Sequence, residues 1–203
     1  MREEFVAAVK ANEGAFGLTL TDVMVDLLAS YYDSVRQHND LLHLVGPSSP
    51  AEFAVRHVLE SLTLLEYLPR DVTFADIGPG AGLPSIPCLL VRDDLKAVLI
   101  ESKEKKAGFL AECASALGIS GRATIVNRQF AETEPGRAEF ITCRALDRFT
   151  DHLPRLLKWA RKRTLLLFGG DNLGEALKRE GAEPTRSLMP RSERRYLFIC
   201  RGS

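Results

Sequence analysis

Cysteine and tryptophan are scarce in this chain of 203 residues, with four of the first and one of the second. The cysteines, Cys88, Cys113, Cys143 and Cys200, lie far apart in sequence, form no C-x-x-C pair, and each sits in an apolar run. That spacing argues against a thiolate metal site or a disulfide framework and for buried thiols in a reducing compartment. No apolar run approaches the ~20 residues a membrane helix needs. The opening "MREEFVAAVK" lacks the apolar stretch of a secretory signal, so cytoplasmic residence is the expectation. His38 and His43 have no cysteine nearby and no H-x₃-H spacing, so no metal is expected. Net charge is also absent, with 27 basic and 27 acidic side chains, but they are unevenly placed. Residues 1–73 hold 5 Lys/Arg against 11 Asp/Glu, and residues 144–203 hold 14 against 7, so an anionic partner would meet the C-terminal part more readily.

Hydrophobic residues make up 45% and charged residues 27%, as in an ordinary globular chain large enough to bury its own core. Residues 1–70 read as a helical subdomain. In "TDVMVDLLASYYDSVRQHNDLL", helical spacing places Val23, Leu27, Tyr31 and Val35 on one face, and Thr21 is positioned to start the helix. "GPSSP" breaks the pattern at 46–50, and a second helix resumes with Phe53, His57, Leu64 and Tyr67 directed inward or toward a site. From residue 71 to 203 the rhythm changes to short, nearly continuous apolar runs ("VTFADI", "AVLIES", "ATIVN", "EFITCR", "TLLLF", "RYLFIC") separated by helical segments. This predicts an α/β fold whose mostly parallel sheet is buried on both faces. The runs near 184–189 and 195–200 are too close for a helical crossover and predict a C-terminal antiparallel hairpin. In "KEKKAGFLAECASALG" the expected buried stripe is Ala107, Leu110, Ala111 and Ala114, with Gly118 stopping the helix.

The stretch "DIGPGAGLPSIP", 76–87, follows the first of these strands. Asp76 ends the apolar run, Gly78, Gly80 and Gly82 alternate, and Pro84 opens a helix, so the loop lies in the crevice beyond the strands' carboxyl ends. A dinucleotide fingerprint requires a glycine at 83, where the chain has Leu83. Glu101 closes the second strand at a distance suited to ribose hydroxyls. The set fits S-adenosyl-L-methionine, which has no pyrophosphate, better than a nicotinamide dinucleotide. The competing reading is a tight turn with a capping role only.

"DIGPGAGLPSIPCLLVR", "ESKEKKAGFL", "CRAL" and the upstream "SPAEFAVRHVLESL" together resemble the RsmG family, also called GidB, in one order over residues 20–200. The resemblance implies a class I (Rossmann-like) methyltransferase with a seven-stranded sheet and an N-terminal helical extension. It also implies the family's activity, transfer of a methyl group from S-adenosylmethionine to N7 of a guanine in the 530 loop of 16S rRNA. Carried over by position, the cofactor residues are Asp76, Gly78, Gly80, Gly82, Leu83, Glu101, Gln129, Phe130 and Arg144, with Arg144 also near the transfer site. Asn39, Arg56, His57, Lys105, Lys106 and Arg128 stand as substrate candidates, with Lys103 and Arg148 as further phosphate contacts. The basic cluster "WARKR", 159–163, is either a second contact or a solvated helix end.

The chain departs from the family pattern at His43 and Val45, where Asn and Thr are usual, at Phe130 in place of Glu, and at Phe168 in place of Lys. These departures leave open the same chemistry on another substrate, or a binding module without turnover. Guanine N7 carries a lone pair and no hydrogen, so no general base is expected.

Overall fold

The computed structural model describes residues 1–144 and 149–201. Helix α1 (Arg2–Asn12) leads through a short 3-10 turn to α2 (Asp22–Leu42), whose first turn is capped by Thr21 Oγ1 accepting from the Met24 N–H at 3.2 Å. A composite helix, α3, covers 50–66. It opens with a reciprocal cap, Ser49 Oγ accepting from Glu52 N–H and the Glu52 carboxylate from Ser49 N–H, and Pro50 takes the first position, where no N–H is needed. It then widens into a π-helical turn, Phe53–Leu59, before an α turn at Glu60–Leu62 and a 3-10 turn at Thr63–Glu66.

The α/β part alternates β1 (Thr73–Ile77), α4 (Ser85–Val91), β2 (Lys96–Ile100), α5 (Glu104–Ala116), β3 (Ala123–Val126), β4 (Phe140–Arg144), α6 (Phe149–Trp159), β5 (Thr164–Gly169), α7 (Asp171–Arg179), β6 (Thr185–Leu188) and β7 (Tyr196–Cys200). These strands form one seven-stranded sheet in the order β3-β2-β1-β4-β5-β7-β6. The first five are parallel, and β7 pairs antiparallel with both β5 and β6. The strand order reverses between β1 and β4, which fixes the ligand crevice at their carboxyl ends.

One apolar cluster covers the face that carries α1 to α5, and it runs from Phe5 through Tyr31, Phe53 and Leu89 to Leu166 and Leu197. The opposite face is covered by α6 and α7 through Leu153, Leu156, Leu173 and Leu177 on Ile77, Ile141, Leu167 and Phe198. The four cysteines are free and buried.

Two helix faces differ from expectation. On α2 the buried stripe is Val25, Leu28, Ala29, Tyr31, Tyr32 and Val35, while Val23 is 70% exposed. The large Tyr31 and Tyr32 rings set the rotation, because they pack on Phe53 at centroid distances of 6.2 and 5.0 Å. On α5, Phe109 and Cys113 are buried and Ala111 is exposed, since α2 covers the Phe109 side, where His38 lies 5.2 Å from its ring. Gly118 ends α5 at φ +70°, with Ile119 N–H returning to the Ala114 carbonyl. Among the described residues no helix is long and apolar enough to cross a membrane.

Candidate functional site

The loop after β1 is held from three directions. Gly78 N–H continues the sheet onto the Ile100 carbonyl at 2.9 Å. The Glu101 carboxylate, buried at the end of β2, accepts from Gly80 N–H at 3.1 Å and from Lys103 N–H at 2.9 Å, so it joins the loop to the start of α5. From the helical side, the buried Tyr31 hydroxyl donates to the Ala81 carbonyl at 3.0 Å. Gly78, Gly80 and Gly82 all have positive φ, 66°, 56° and 92°. Two of these positions matter most. At Gly82 a Cβ would fall 2.7 Å from Ile86 Cγ1, so this glycine is demanded by packing under the loop. At Gly80 a Cβ would meet nothing within 4 Å, because the loop faces open space there.

Asp76 is fully buried beneath the loop. Ser85 Oγ donates to its Oδ2 at 2.5 Å, and its Oδ1 has no partner. Burial, opposed by the Ser85 hydrogen bond, pushes its carboxyl up to about 8.

The open space is a cleft of about 540 Å³. Gly78–Ala81 and Leu83 form one wall, Glu101–Lys103 and Lys106 another, and segment 43–46 covers them. Arg144 and His57 close the end toward β4, with His152 beside them. The rim segment has its own supports. His43 sits at φ +48°, a left-handed conformation that Asn and His tolerate better than most residues; its carbonyl accepts from Lys106 Nζ at 3.1 Å. Asn39 Oδ1 accepts from Val45 N–H at 2.9 Å.

His57 stacks at a tilt on Phe53, 5.1 Å between centroids, and its Nδ1 is buried without a partner. Burial first, then the charges of Arg144, Arg56 and Arg195, lowers its pKa to about 4, so the imidazole is neutral near pH 7.

The sequence-selected residues therefore divide into groups. Gly78, Gly80, Leu83, Glu101, Lys103, Lys106, His57 and Arg144 meet in the cleft. Asp76 and Gly82 lie beneath it and shape it, and Asn39 fixes its cover. Arg56 and Lys105 are exposed, as are Arg128 and Gln129 just past β3. Phe130 turns into the core, edge-on to Trp159 at 6.0 Å and to His152 at 6.4 Å, and of these three His152 lines the cleft. Arg161 to Arg163 sit at the amino end of β5, the opposite pole of the sheet. Arg148 lies outside the described residues. Glu60, Ser61 and Arg195 enter the site's framework without having been marked by any local spacing, and Tyr31, marked only as part of an apolar helix face, enters it through its hydroxyl.

The arrangement fits an elongated, partly apolar nucleoside ligand. The volume lies in the usual range for small-molecule clefts, roughly 300–1,000 Å³. Gly80 leaves its backbone open to close approach. Glu101 uses one acceptor site on each oxygen for backbone N–H groups, and a carboxylate offers about four in all, so it retains capacity for hydroxyl donors. Leu83 and Leu44 supply apolar wall. Among the described residues, no three His, Cys, Asp or Glu side chains gather in a metal-binding group.

Comparison with known proteins agrees with this geometry. The family model for GidB, rRNA small subunit methyltransferase G, matches residues 24–188. The ribosomal RNA small subunit methyltransferase G of Sorangium cellulosum is 35% identical over 159 residues, which cover 75% of this chain and 66% of that protein. Its counterpart in Neisseria meningitidis serogroup C is 32% identical over 143 residues, 70% of this chain and 69% of its own. The aligned regions thus span about two thirds of these relatives' lengths. Among solved structures, a SAM dependent methyltransferase from Aquifex aeolicus superposes with a TM-score of 0.59 at 15% identity, covering 75% of this chain and 93% of that one. Mitomycin 7-O-methyltransferase MmcR superposes with a TM-score of 0.61 at 17% identity, covering 85% and 60%. At such identities the likeness is one of fold. The sheet order, the glycine-loop cleft and the match across most of its length establish that this chain belongs to the GidB family, rRNA small subunit methyltransferase G.

Proposed function

We propose that the protein transfers a methyl group from S-adenosylmethionine to N7 of a guanine in the 530 loop of 16S rRNA, as naked RNA or within the small ribosomal subunit, in the cytoplasm. The observation that carries the proposal is the cleft at the β1/β4 reversal, built on the very segments that place the chain in its family. The cofactor supplies an electrophilic methyl group on a sulfonium. The chain's part is to bind and orient. Glu101 is the acceptor for ribose hydroxyls, Gly78 and Gly80 allow close backbone approach, and Leu83 packs against the bound nucleoside.

Guanine N7 has a lone pair and no proton, so His57, neutral and flanked by arginines, is not required as a base. Positioning is the main source of rate, worth up to about 7–11 kcal/mol in well-oriented reactions. Lys103 and Lys106 at the cleft wall, with Arg56, Lys105 and Arg128 exposed, are the phosphate contacts of a splayed RNA loop. Titration calorimetry with S-adenosylmethionine, followed by transfer of labelled methyl to 16S rRNA and to small subunits, tests the proposal. Binding with label confined to 16S rRNA is expected. No binding refutes the proposal, and label on another RNA fraction would shift it to a different substrate, as the replaced His43 and Val45 in the cleft would allow.

A further inference from the structure

The π-helical turn of α3 places His57 in the cleft, at the end where Arg144 lies, and leaves the neighbouring Arg56 side chain exposed, and an unusual set of bonds holds it. The turn is one residue wider than an α turn, with Glu60 N–H reaching the Val55 carbonyl. The Arg56 carbonyl accepts from Arg144 Nη2, and the His57 carbonyl accepts from the Ser61 hydroxyl. Arg144 Nη1 in turn donates to Ser61 Oγ at 3.3 Å.

Behind this layer stands Glu60, 1% exposed. Its Oε2 pairs with Arg144 Nη2 at 3.2 Å, and its Oε1 accepts from Arg195 at 2.7 Å. Arg144 also lies over the Phe168 ring, 5.3 Å from its centroid, where the family pattern has a lysine that would repel it. One buried carboxylate thus joins two guanidinium groups that come from the end of β4 and from the β6–β7 connection.

We infer that Glu60 is a positioning residue: by pairing with Arg144 and Arg195 it locks the π-helical turn against β4, and so sets where His57 meets the RNA base and where the exposed Arg56 meets the RNA backbone. The electrostatics require such a group. Arg144 and Arg195 converge on one buried spot, and without a carboxylate between them they repel. Arg144 could not then remain on the Arg56 carbonyl, and the wide turn would lose its outer support. A fully bonded network of this kind holds a single geometry in a way that apolar contacts alone do not. The glycine-loop half of the cleft is built on Glu101, Gly80 and Tyr31, whose side-chain hydrogen bonds run to Gly80, Lys103 and Ala81; it meets this network through the charge of Arg144 on Tyr31, so the loop's own geometry is set apart from Glu60. The inference rests on the reading that this end of the cleft receives an RNA base.

The test compares Glu60→Gln, Arg195→Met and the double variant with the parent chain. Circular dichroism checks folding, calorimetry reads S-adenosylmethionine affinity, steady-state transfer to 16S rRNA reads kcat/KM, and hydrogen exchange follows the amides of 53–61. Each single variant should keep cofactor affinity within about twofold, lose at least tenfold in kcat/KM for RNA, and speed exchange in 53–61 relative to the β1–β4 amides. The double variant should be no worse than Glu60→Gln, because that change already removes the single ion pair that Arg195→Met removes. Unchanged RNA kinetics in a folded Glu60→Gln chain, an equal loss of cofactor affinity, or multiplicative losses in the double variant would overturn the inference. If Glu60→Gln does not fold, Arg195→Met, at the partly exposed end of the network, decides by the same readouts. If the parent chain transfers no methyl to RNA, the functional reading falls while hydrogen exchange still decides whether Glu60 holds the turn.

Discussion

Replacing Gly82 by alanine should damage the protein through the loop's underside. Gly82 has φ +92°, where an L-residue is strained by about 1–2 kcal/mol. The added methyl would also sit 2.7 Å from Ile86 Cγ1 and closer still to Cδ1, on a side chain that is fully buried at the start of α4. Over-packing of this kind usually costs about 1–3 kcal/mol. Together the two effects predict a loss of roughly 2–5 kcal/mol, or roughly 4–20 °C in melting temperature for a chain of this size. Gly80→Ala is the control. Its φ of +56° carries only the backbone strain of about 1–2 kcal/mol, since its Cβ meets no protein atom. That Cβ faces the cleft, so this variant should lose less stability than Gly82→Ala yet weaken S-adenosylmethionine binding at least fivefold. Thermal melts and calorimetry on both variants read the contrast. A Gly82→Ala chain that melts within 2 °C of the parent would refute the packing argument, and a Gly80→Ala chain with parental affinity would remove the cofactor from that side of the loop.

Tyr31→Phe should leave the Ala81 carbonyl unpaired in a buried place, a loss of about 1–3 kcal/mol, and weaken cofactor binding severalfold; unchanged affinity by calorimetry would show that α2 does not fix the loop. Asp76 holds its proton up to about pH 8 when folded and releases it near 4 when unfolded, so its contribution to stability declines as pH rises from about 4 to about 8. Asp76→Asn should therefore flatten the fall of melting temperature over that window, and parallel profiles for the two chains would contradict the buried, poorly partnered carboxyl. His57 behaves oppositely: with a folded pKa of about 4 against about 6.5 unfolded, its contribution is lost as pH falls through that interval. His57→Gln should lose less stability on acidification than the parent, which differential melts between pH 4 and 7 would reveal.

The inner strands β1, β4, β5 and β7 were legible because they are buried on both faces and so read as nearly unbroken apolar runs, and the hairpin with the mostly exposed edge strand β6 followed from a connection too short for a helix. The glycine loop and Glu101 were legible because backbone geometry there depends on residue type, and the sequence carries it directly. Helix rotation was not: Val23 and Val25 are equally apolar, and only the demand that Tyr31 reach Ala81 and Phe53 selects the second. Phe130 could be placed after β3 from position alone, but whether its ring faced the cleft or Trp159 depended on a helix 29 residues further along. The Glu60 network joins partners 84 and 135 residues away, a distance at which no spacing rule operates.

Mapping the modified nucleosides of 16S rRNA by mass spectrometry, after incubation with the protein and S-adenosylmethionine, tests the central claim most directly. The account predicts one new 7-methylguanosine, placed in the 530 loop and absent when Glu101→Ala replaces the parent chain. Cofactor binding without any new methylated nucleoside in 16S rRNA, or methylation at a position other than guanine N7, would contradict it.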